Sequence, residues 1–107
     1  MNISELKFDD RGLIPVVVQE ADTAEVLMLA WMNADAIQMT FDKQLVTFWS
    51  RSRSELWTKG ETSGNTLDLV ELRYDCDSDA LLARAKLNGS GVCHTGERTC
   101  FFRTVAP

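Results

Sequence analysis

A chain of 107 residues with 45% hydrophobic and 25% charged side chains has the composition of one folded domain rather than of a disordered segment. Its formal net charge of −5 argues against nucleic acid as a partner, although basic residues can still gather in one pocket. No apolar run could span a membrane and the N-terminus lacks the apolar region of a signal peptide, so we expect residues 1–107 to form a single cytoplasmic domain.

The first half of the sequence predicts two strands followed by a helix. Residues 14–19 and 25–32 are apolar or β-branched and flank a short turn, so they predict a hairpin, with a helix as the alternative for the second run. Asn33 is a good N-cap, and apolar side chains at helical spacing after it predict a short helix over 33–43. Residues 45–50 again favour a strand.

The second half of the sequence predicts a long loop and further strands. Residues 54–66 contain two glycines and five hydroxyl residues, which is typical of a loop with a functional role. Residues 67–74 alternate apolar and polar side chains and predict a half-buried strand, whereas 80–87 fit a helix or a strand. A turn at 88–91 and a last strand at 100–105 complete an α+β, mostly β, fold.

Three carboxylates occupy alternate positions in the segment Y-D-C-D-S-D-A, residues 74–80. If the preceding strand continues, its period of two places Asp75, Asp77 and Asp79 on one side and Cys76 on the other. Oxygen ligands select Mg²⁺, Ca²⁺ or Mn²⁺, so the segment predicts a site for a hard cation. Solvated aspartates in a turn are the alternative interpretation.

The three cysteines and the one histidine form a second candidate metal site. Cys93 and His94 are adjacent in G-V-C-H-T-G-E-R-T-C, where glycines and hydroxyl residues replace a core-like pattern, and Cys100 ends that segment. The spacing from Cys76 suits ligands drawn from separate elements, and three thiolates plus one further ligand complete a tetrahedral zinc site. A water as that ligand would make the site catalytic, whereas buried thiols acting as small hydrophobes are the alternative.

A basic stretch, W-S-R-S-R-S-E-L-W-T-K-G-E-T-S-G, lies at residues 49–64. Arg51, Arg53 and Lys59 stand among hydroxyl and glycine residues, which together supply the donors that phosphate oxygens require. Trp49 and Trp57 offer planar faces to a base ring. A polar surface loop with tryptophans in the core is the alternative.

Four sequence blocks together resemble one enzyme family. They are W-M-N (31–33), W-S-R-S-R-S-E-L-W-T-K-G-E-T-S-G-N (49–65), D-C-D-S-D-A-L-L (75–82) and C-H-T-G-E-R-T-C-F (93–101). In order and separation these blocks resemble phosphoribosyl-AMP cyclohydrolase of histidine biosynthesis, from about Leu6 to Phe102. Trp31 stands where many relatives carry Tyr.

The resemblance implies hydrolysis of the adenine ring of phosphoribosyl-AMP, between ring nitrogen 1 and carbon 6, by a zinc-activated water. It also implies a β-rich pseudo-barrel with a capping helix, and a homodimer that needs Zn²⁺ and Mg²⁺. A zinc-stapled structural dimer, or a nucleotide-binding dimer without hydrolase activity, is the alternative function.

The resemblance also implies a set of site residues. Cys76 of one subunit would join Cys93 and Cys100 of the other on zinc, and the magnesium ligands would be Asp75, Asp77 and Asp79. His94 is the candidate catalytic residue, as a proton shuttle or as a fourth zinc ligand. The predicted substrate-binding residues are Arg51, Arg53, Trp57, Lys59, Glu61, Thr62 and Ser63.

Overall fold

Six strands and one α-helix are the main elements of residues 2–107, the part of the chain that this computed structural model describes. In chain order the elements are a short 3-10 helix at Ile3–Glu5, β1 (Ile14–Glu20), β2 (Val26–Met32), α1 (Ala34–Lys43), β3 (Thr47–Ser50), β4 (Glu55–Thr58), β5 (Leu67–Tyr74) and β6 (Leu81–Leu87). The predicted α+β, mostly β, fold class is therefore confirmed.

A four-stranded sheet in the order β2-β1-β6-β5 carries most of the core. Side chains of β1 alternate between buried and half-buried, and Ile14, Val16 and Val18 are fully buried. β2 pairs antiparallel with β1, so the predicted hairpin is confirmed and the helical alternative is wrong. β6 lies between β1 and β5 and forms ladder hydrogen bonds with both. Residues 80–87, which fitted a helix or a strand, therefore contain a strand.

Helix α1 begins where the sequence predicted. The Asn33 side chain accepts a hydrogen bond from the Ala36 N–H at 2.8 Å, which satisfies a free donor of the first turn. Ala36, Ile37 and Thr40 are buried, and the Thr40 hydroxyl accepts a hydrogen bond from the Thr47 N–H at 3.0 Å, which ties the helix to β3. No helix within residues 2–107 is long and apolar enough to cross a membrane.

The loop predicted over residues 54–66 contains a strand, so that prediction is wrong in its first third. β4 pairs antiparallel with β3 in a separate two-stranded sheet. Phe48 lies opposite Trp57, with ring centroids 5.0 Å apart. This aromatic contact stabilises a strand here, although the neighbouring serine, glycine and charged residues favour a loop. Cross-strand packing outweighs local propensity.

The two sheets approach each other without closing into a barrel within residues 2–107. A single bridge joins Leu45 to Asp68, and the Val46 N–H donates to the Leu67 carbonyl at 2.9 Å. These bonds are too few to form a continuous ladder. The predicted pseudo-barrel is therefore not closed in the chain.

The strand predicted at 100–105 is also wrong. The Cys100 N–H donates to the Leu27 carbonyl of β2 at 2.8 Å, but no strand follows. Phe101, Phe102 and Val105 are exposed. Aromatic and β-branched side chains favour a strand only when pairing continues along a neighbouring strand and a face is buried. Here the backbone pairing with β2 does not continue past Cys100 and the side chains are exposed.

Glu20, at the end of β1, carries a buried carboxylate that joins three parts of the sheet. It accepts hydrogen bonds from the Leu87 N–H at 2.9 Å and from the Asp22 N–H at 3.1 Å, and it is 4% exposed. Burial raises the pKa of Glu20, but these hydrogen bonds and the charges of Arg98 and Lys86 outweigh it. The pKa therefore lies below its ordinary value of 4.5.

We expect Glu20→Gln to lower the free energy of unfolding at pH 7 by about 1–3 kcal/mol, because the charged acceptor is lost. A lowered folded-state pKa gives stability that is present above pH 4.5 and is lost as the pH falls through the folded value. Urea unfolding at pH 7 and at lower pH should therefore show a difference between variant and wild type that narrows in acid. Glu55→Gln is the matched control, since Glu55 only meets exposed Arg53 at 3.4 Å, and a similar loss there would contradict the assignment.

Candidate active site

Residues 91–100, which we call the thiol loop, fold back on themselves after β6. The Val92 N–H donates to the Arg98 carbonyl at 3.1 Å, and the Cys93 N–H donates to the Glu97 carbonyl at 3.2 Å. The hydrogen bond from Cys100 to β2 anchors the far end of the loop. These bonds fix the loop that carries Cys93 near its start and Cys100 at its end, which are two of the three predicted zinc ligands.

Cys93 and Cys100 line the same cavity of about 300 Å³, together with His94, Thr95, Phe102 and Arg103. The Thr95 hydroxyl lies 2.9 Å from the Cys93 sulfur, and hydrogen bonding to Thr95 lowers the pKa of Cys93 below 9.0. Burial and the neighbouring Cys93 raise the pKa of Cys100. A pair of thiols with one more easily ionised member is a suitable start for a soft metal site.

Cys76 does not join the other two thiols in the single chain. It is exposed, on the turn that follows β5. Among residues 2–107 no group of three potential ligands includes a cysteine. The structure thus brings together two predicted zinc ligands and leaves the third apart.

Residues 75–80, the acidic turn, bring together the three predicted magnesium ligands. Carboxylate oxygens of Asp75, Asp77 and Asp79 all lie within 4.8 Å of one another, and all three side chains are exposed. The expected continuation of the strand is wrong, because β5 ends at Tyr74 and Ser78 adopts a left-handed conformation with φ 61°. The carboxylates therefore converge through a turn and not through strand periodicity.

Hydrogen bonds inside the acidic turn shift the pKa values of two of its carboxylates in opposite directions. Asp75 accepts from the N–H groups of Asp79 and Ala80, at 3.0 and 3.3 Å. Burial raises the pKa of Asp75, but these hydrogen bonds outweigh it and the pKa is lowered. Hydrogen bonding to Asp75 raises the pKa of Asp79. Crowding of this kind is relieved when a cation lies among the oxygens.

The predicted substrate-binding residues line two neighbouring cavities. A cavity of about 630 Å³ lies beside residues 51–54, the arginine turn between β3 and β4, and is lined by Arg51, Arg53 and Trp57. A second cavity of about 190 Å³ is lined by Arg53, Trp57, Lys59, Glu61, Thr62 and Ser63. The structure therefore gathers all seven predicted residues in one region.

Lys59 connects this region to the thiol loop. Its Nζ donates to the Val92 carbonyl at 2.5 Å and lies 5.5 Å from the centre of the Trp57 ring. Val92 precedes Cys93, so the lysine ties the substrate-binding residues to the candidate zinc ligands. A lysine has three donors, and within residues 2–107 the other two are available for a phosphate.

Sequence reasoning did not assign Arg11 or Trp31 to the site. Both line the cavity of about 630 Å³, and the Arg51 guanidinium lies 4.5 Å from the centre of the Trp31 ring. Trp31 belonged to a recognised block, which was the available signal. Arg11 lies in the turn before β1, and no local pattern links it to residues 40 positions away.

Comparison with known proteins agrees with the geometry of the site. Residues 28–102 match the family model described as phosphoribosyl-AMP cyclohydrolase. A phosphoribosyl-AMP cyclohydrolase of Archaeoglobus fulgidus is 54% identical over 101 residues, which cover 94% of this chain and 93% of that protein.

The chain belongs to the phosphoribosyl-AMP cyclohydrolase family.

Two further relatives differ in length. A phosphoribosyl-AMP cyclohydrolase of Hyphomonas neptunium is 54% identical over 99 residues, which cover 92% of this chain and 75% of the relative. The histidine biosynthesis bifunctional protein HisIE of Prochlorococcus marinus is 52% identical over 104 residues, which cover 97% of this chain but 47% of that protein. The chain thus spans about half of the bifunctional relative.

As a phosphoribosyl-AMP cyclohydrolase family member, the chain is a hydrolase, as its sequence predicted.

Gly91, at the start of the thiol loop, has no room for a side chain. A Cβ there would lie 2.4 Å from the Glu97 carbonyl oxygen and 2.7 Å from the Arg98 Cα. We expect Gly91→Ala to open the loop and to raise the rate of amide hydrogen exchange at Val92 about tenfold or more. Ser90→Ala is the control, because Ser90 is the exposed neighbour of Gly91 and already carries a Cβ; equal exchange at Val92 in both variants would contradict the steric argument.

Proposed function

We propose that this chain hydrolyses the adenine ring of phosphoribosyl-AMP between ring nitrogen 1 and carbon 6, as a step of histidine biosynthesis. The observation that carries the proposal is the family match over residues 28–102, since that range contains the thiol loop, the acidic turn and the arginine turn. These three segments offer ligands for a soft cation, ligands for a hard cation and donors for an anionic substrate.

The donor sets support a zinc site on thiols and a magnesium site on carboxylates. Cys93 and Cys100 line one cavity and are soft ligands, whereas the acidic turn offers hard oxygens within 4.8 Å of one another. Because Cys76 is exposed and apart from the other thiols, we assign the third zinc position to Cys76 of the partner subunit in a homodimer. Zinc held by these residues would lower the pKa of a bound water toward about 7, making a nucleophile available at neutral pH.

The reaction consumes one water and leaves two protons to place. The water oxygen becomes the carboxamide oxygen. Of the two water protons, one ends on the exocyclic nitrogen, which becomes the carboxamide NH2, and the other passes to the ring nitrogen whose bond to carbon 6 breaks. We assign that second transfer to His94, which is exposed and lines the cavity that also contains Cys93 and Cys100. A fourth position on zinc is the alternative role for His94.

The residues around the arginine turn would bind and orient the substrate. Arg51, Arg53 and Lys59 can offset phosphate charge, and Trp57 offers a planar face to the base. The hydroxyls of Thr62 and Ser63 supply further donors, and Glu61 can accept hydrogen bonds from ribose hydroxyls or from the base; these three side chains are exposed in the smaller cavity. Holding the ring in one orientation removes much of the entropic cost of reaching the transition state.

A ring-opening assay combined with metal analysis tests the proposal. We expect the purified chain to open phosphoribosyl-AMP, to carry about one zinc per subunit, and to lose turnover on chelation. If the chain binds zinc but does not open the ring, it would instead be a zinc-stapled structural dimer. Nucleotide binding with neither metal nor turnover would identify a binding module, and either outcome would refute the proposal.

A further inference from the structure

A cavity at the end of β2, which we call the arginine cavity, has a lining suited to an anion. Its volume is about 630 Å³, and it lies between β2 and the arginine turn. Three arginines and three tryptophans line it, namely Arg11, Arg51, Arg53, Trp31, Trp49 and Trp57. No acidic residue contributes to the lining, although the chain as a whole carries a net charge of −5.

Two of the three guanidinium groups in this cavity have no anionic partner in the described part of the chain. Arg53 meets Glu55 at 3.4 Å, but neither Arg11 nor Arg51 forms an ion pair among residues 2–107. Unpaired positive charges on an acidic protein attract a negatively charged ligand, and two guanidinium groups at one cavity can share a phosphate.

Arg51 is already oriented for such a contact. Its guanidinium carbon lies 4.5 Å from the centre of the Trp31 ring, an arrangement that the ring quadrupole stabilises. Trp31 is itself fixed on β2, where it pairs with Pro15 of β1. Stacking occupies one face of the guanidinium and leaves its N–H edges free for hydrogen bonds to an anion.

The arginine cavity borders the smaller cavity of the candidate site. Arg53 and Trp57 line both this cavity and the smaller one beside it. The smaller cavity also contains Lys59, which is bonded to the Val92 carbonyl next to Cys93. Two shared lining residues and the Lys59 hydrogen bond therefore connect the arginine cavity to the thiol loop.

We propose that Arg11, Trp31 and Arg51 form a subsite for one of the two ribose-phosphate groups of the substrate. This inference rests on the proposed function, because phosphoribosyl-AMP carries a phosphorylated ribose on each side of the reacting ring. A substrate whose ring lies near the thiols would extend one such group past Lys59 and Trp57, and the arginine cavity would receive it. Arg11 would bind this phosphate directly, whereas Trp31 would act through Arg51 as a positioning residue.

Kinetics of Arg11→Met and Trp31→Leu test the subsite. We expect the KM for phosphoribosyl-AMP to rise about tenfold in each variant while kcat changes less than about twofold, because a contact to a remote phosphate is equally strong in the ground and transition states. Arg73→Met is the matched control, since Arg73 is an exposed arginine on β5 that does not line this cavity. An unchanged KM in both test variants would overturn the proposal.

Equilibrium binding of two probes separates this proposal from the proposed function. Ribose 5-phosphate should bind wild type more tightly than either variant, whether or not the protein opens the ring. If AMP binding weakens as well, the subsite receives the phosphate of the AMP part; if AMP binding is unchanged, it receives that of the added phosphoribosyl group. Equal binding of both probes to wild type and variants would overturn the subsite even in an active enzyme.

Discussion

Mixing inactive Cys76→Ala protein with inactive Cys93→Ala protein should restore activity to about a quarter of the wild-type level. Each two-fold dimer has two equivalent sites, and each site would take Cys76 from one subunit and the thiol loop from the other. In the mixed dimer both substitutions fall in one site, and the other site is intact. Random exchange makes about half of the dimers mixed, with one working site in each.

The structural reason for this expectation is the separation of the thiols. Cys93 and Cys100 line one cavity, but within the described residues no ligand group includes Cys76. A zinc ion with three sulfur ligands would therefore take its third thiol from a second chain, as proposed.

Mixing Cys93→Ala with Cys100→Ala is the matched control. These two substitutions lie on the same loop, so each site of a mixed dimer would lack one ligand and no activity should return. Co-refolding followed by native mass spectrometry would verify that mixed dimers form. Verified Cys76→Ala/Cys93→Ala dimers without activity would exclude ligands shared between subunits.

Asp77→Asn should raise the Mg²⁺ concentration needed for half-maximal activity at least tenfold and leave the zinc content unchanged. Asp77 is the best position for this test because, within residues 2–107, its side chain holds no backbone N–H of the turn, unlike that of Asp75. Asp75 accepts hydrogen bonds from two N–H groups of the acidic turn, and its substitution would disturb the turn itself. An amide at position 77 keeps the shape of the side chain but removes the charge that a hard cation requires.

Titration of activity with Mg²⁺ and zinc analysis of the same samples provide the measurement. Asp68→Asn, on the exposed side of β5 and outside the acidic turn, is the control and should behave as wild type. Loss of zinc with an unchanged Mg²⁺ requirement would show that the acidic turn serves the thiol site instead.

Local patterns predicted those elements whose partners are adjacent in sequence. The alternation in residues 67–74 predicted β5, and Asn33 predicted the start of α1, because a side-chain cap acts within one helical turn. The hairpin of β1 and β2 followed for the same reason, since its two strands are joined by a short turn.

Elements whose stability depends on distant partners were predicted less well. β4 forms because Trp57 packs on Phe48, and residues 100–105 do not form a strand because their backbone pairing with β2 does not continue past Cys100. The segment that forms β6 fitted a helix or a strand in the sequence. It is a strand because it pairs with β1, more than 60 residues earlier in the chain. Propensity alone cannot supply these contacts, since pairing and burial decide strand formation.

Residue types and their order already indicated the functional groups of this chain: a segment rich in carboxylates, a segment with two thiols and a histidine, a basic stretch, and blocks that resemble one family. The tertiary structure alone decided which of these groups meet. It placed the three carboxylates together through a turn, tied Lys59 to the thiol loop, stacked Arg51 on Trp31 and left Cys76 apart. The reason is physical: residue type sets what a side chain can bind, whereas its distance from other groups depends on how the whole chain packs.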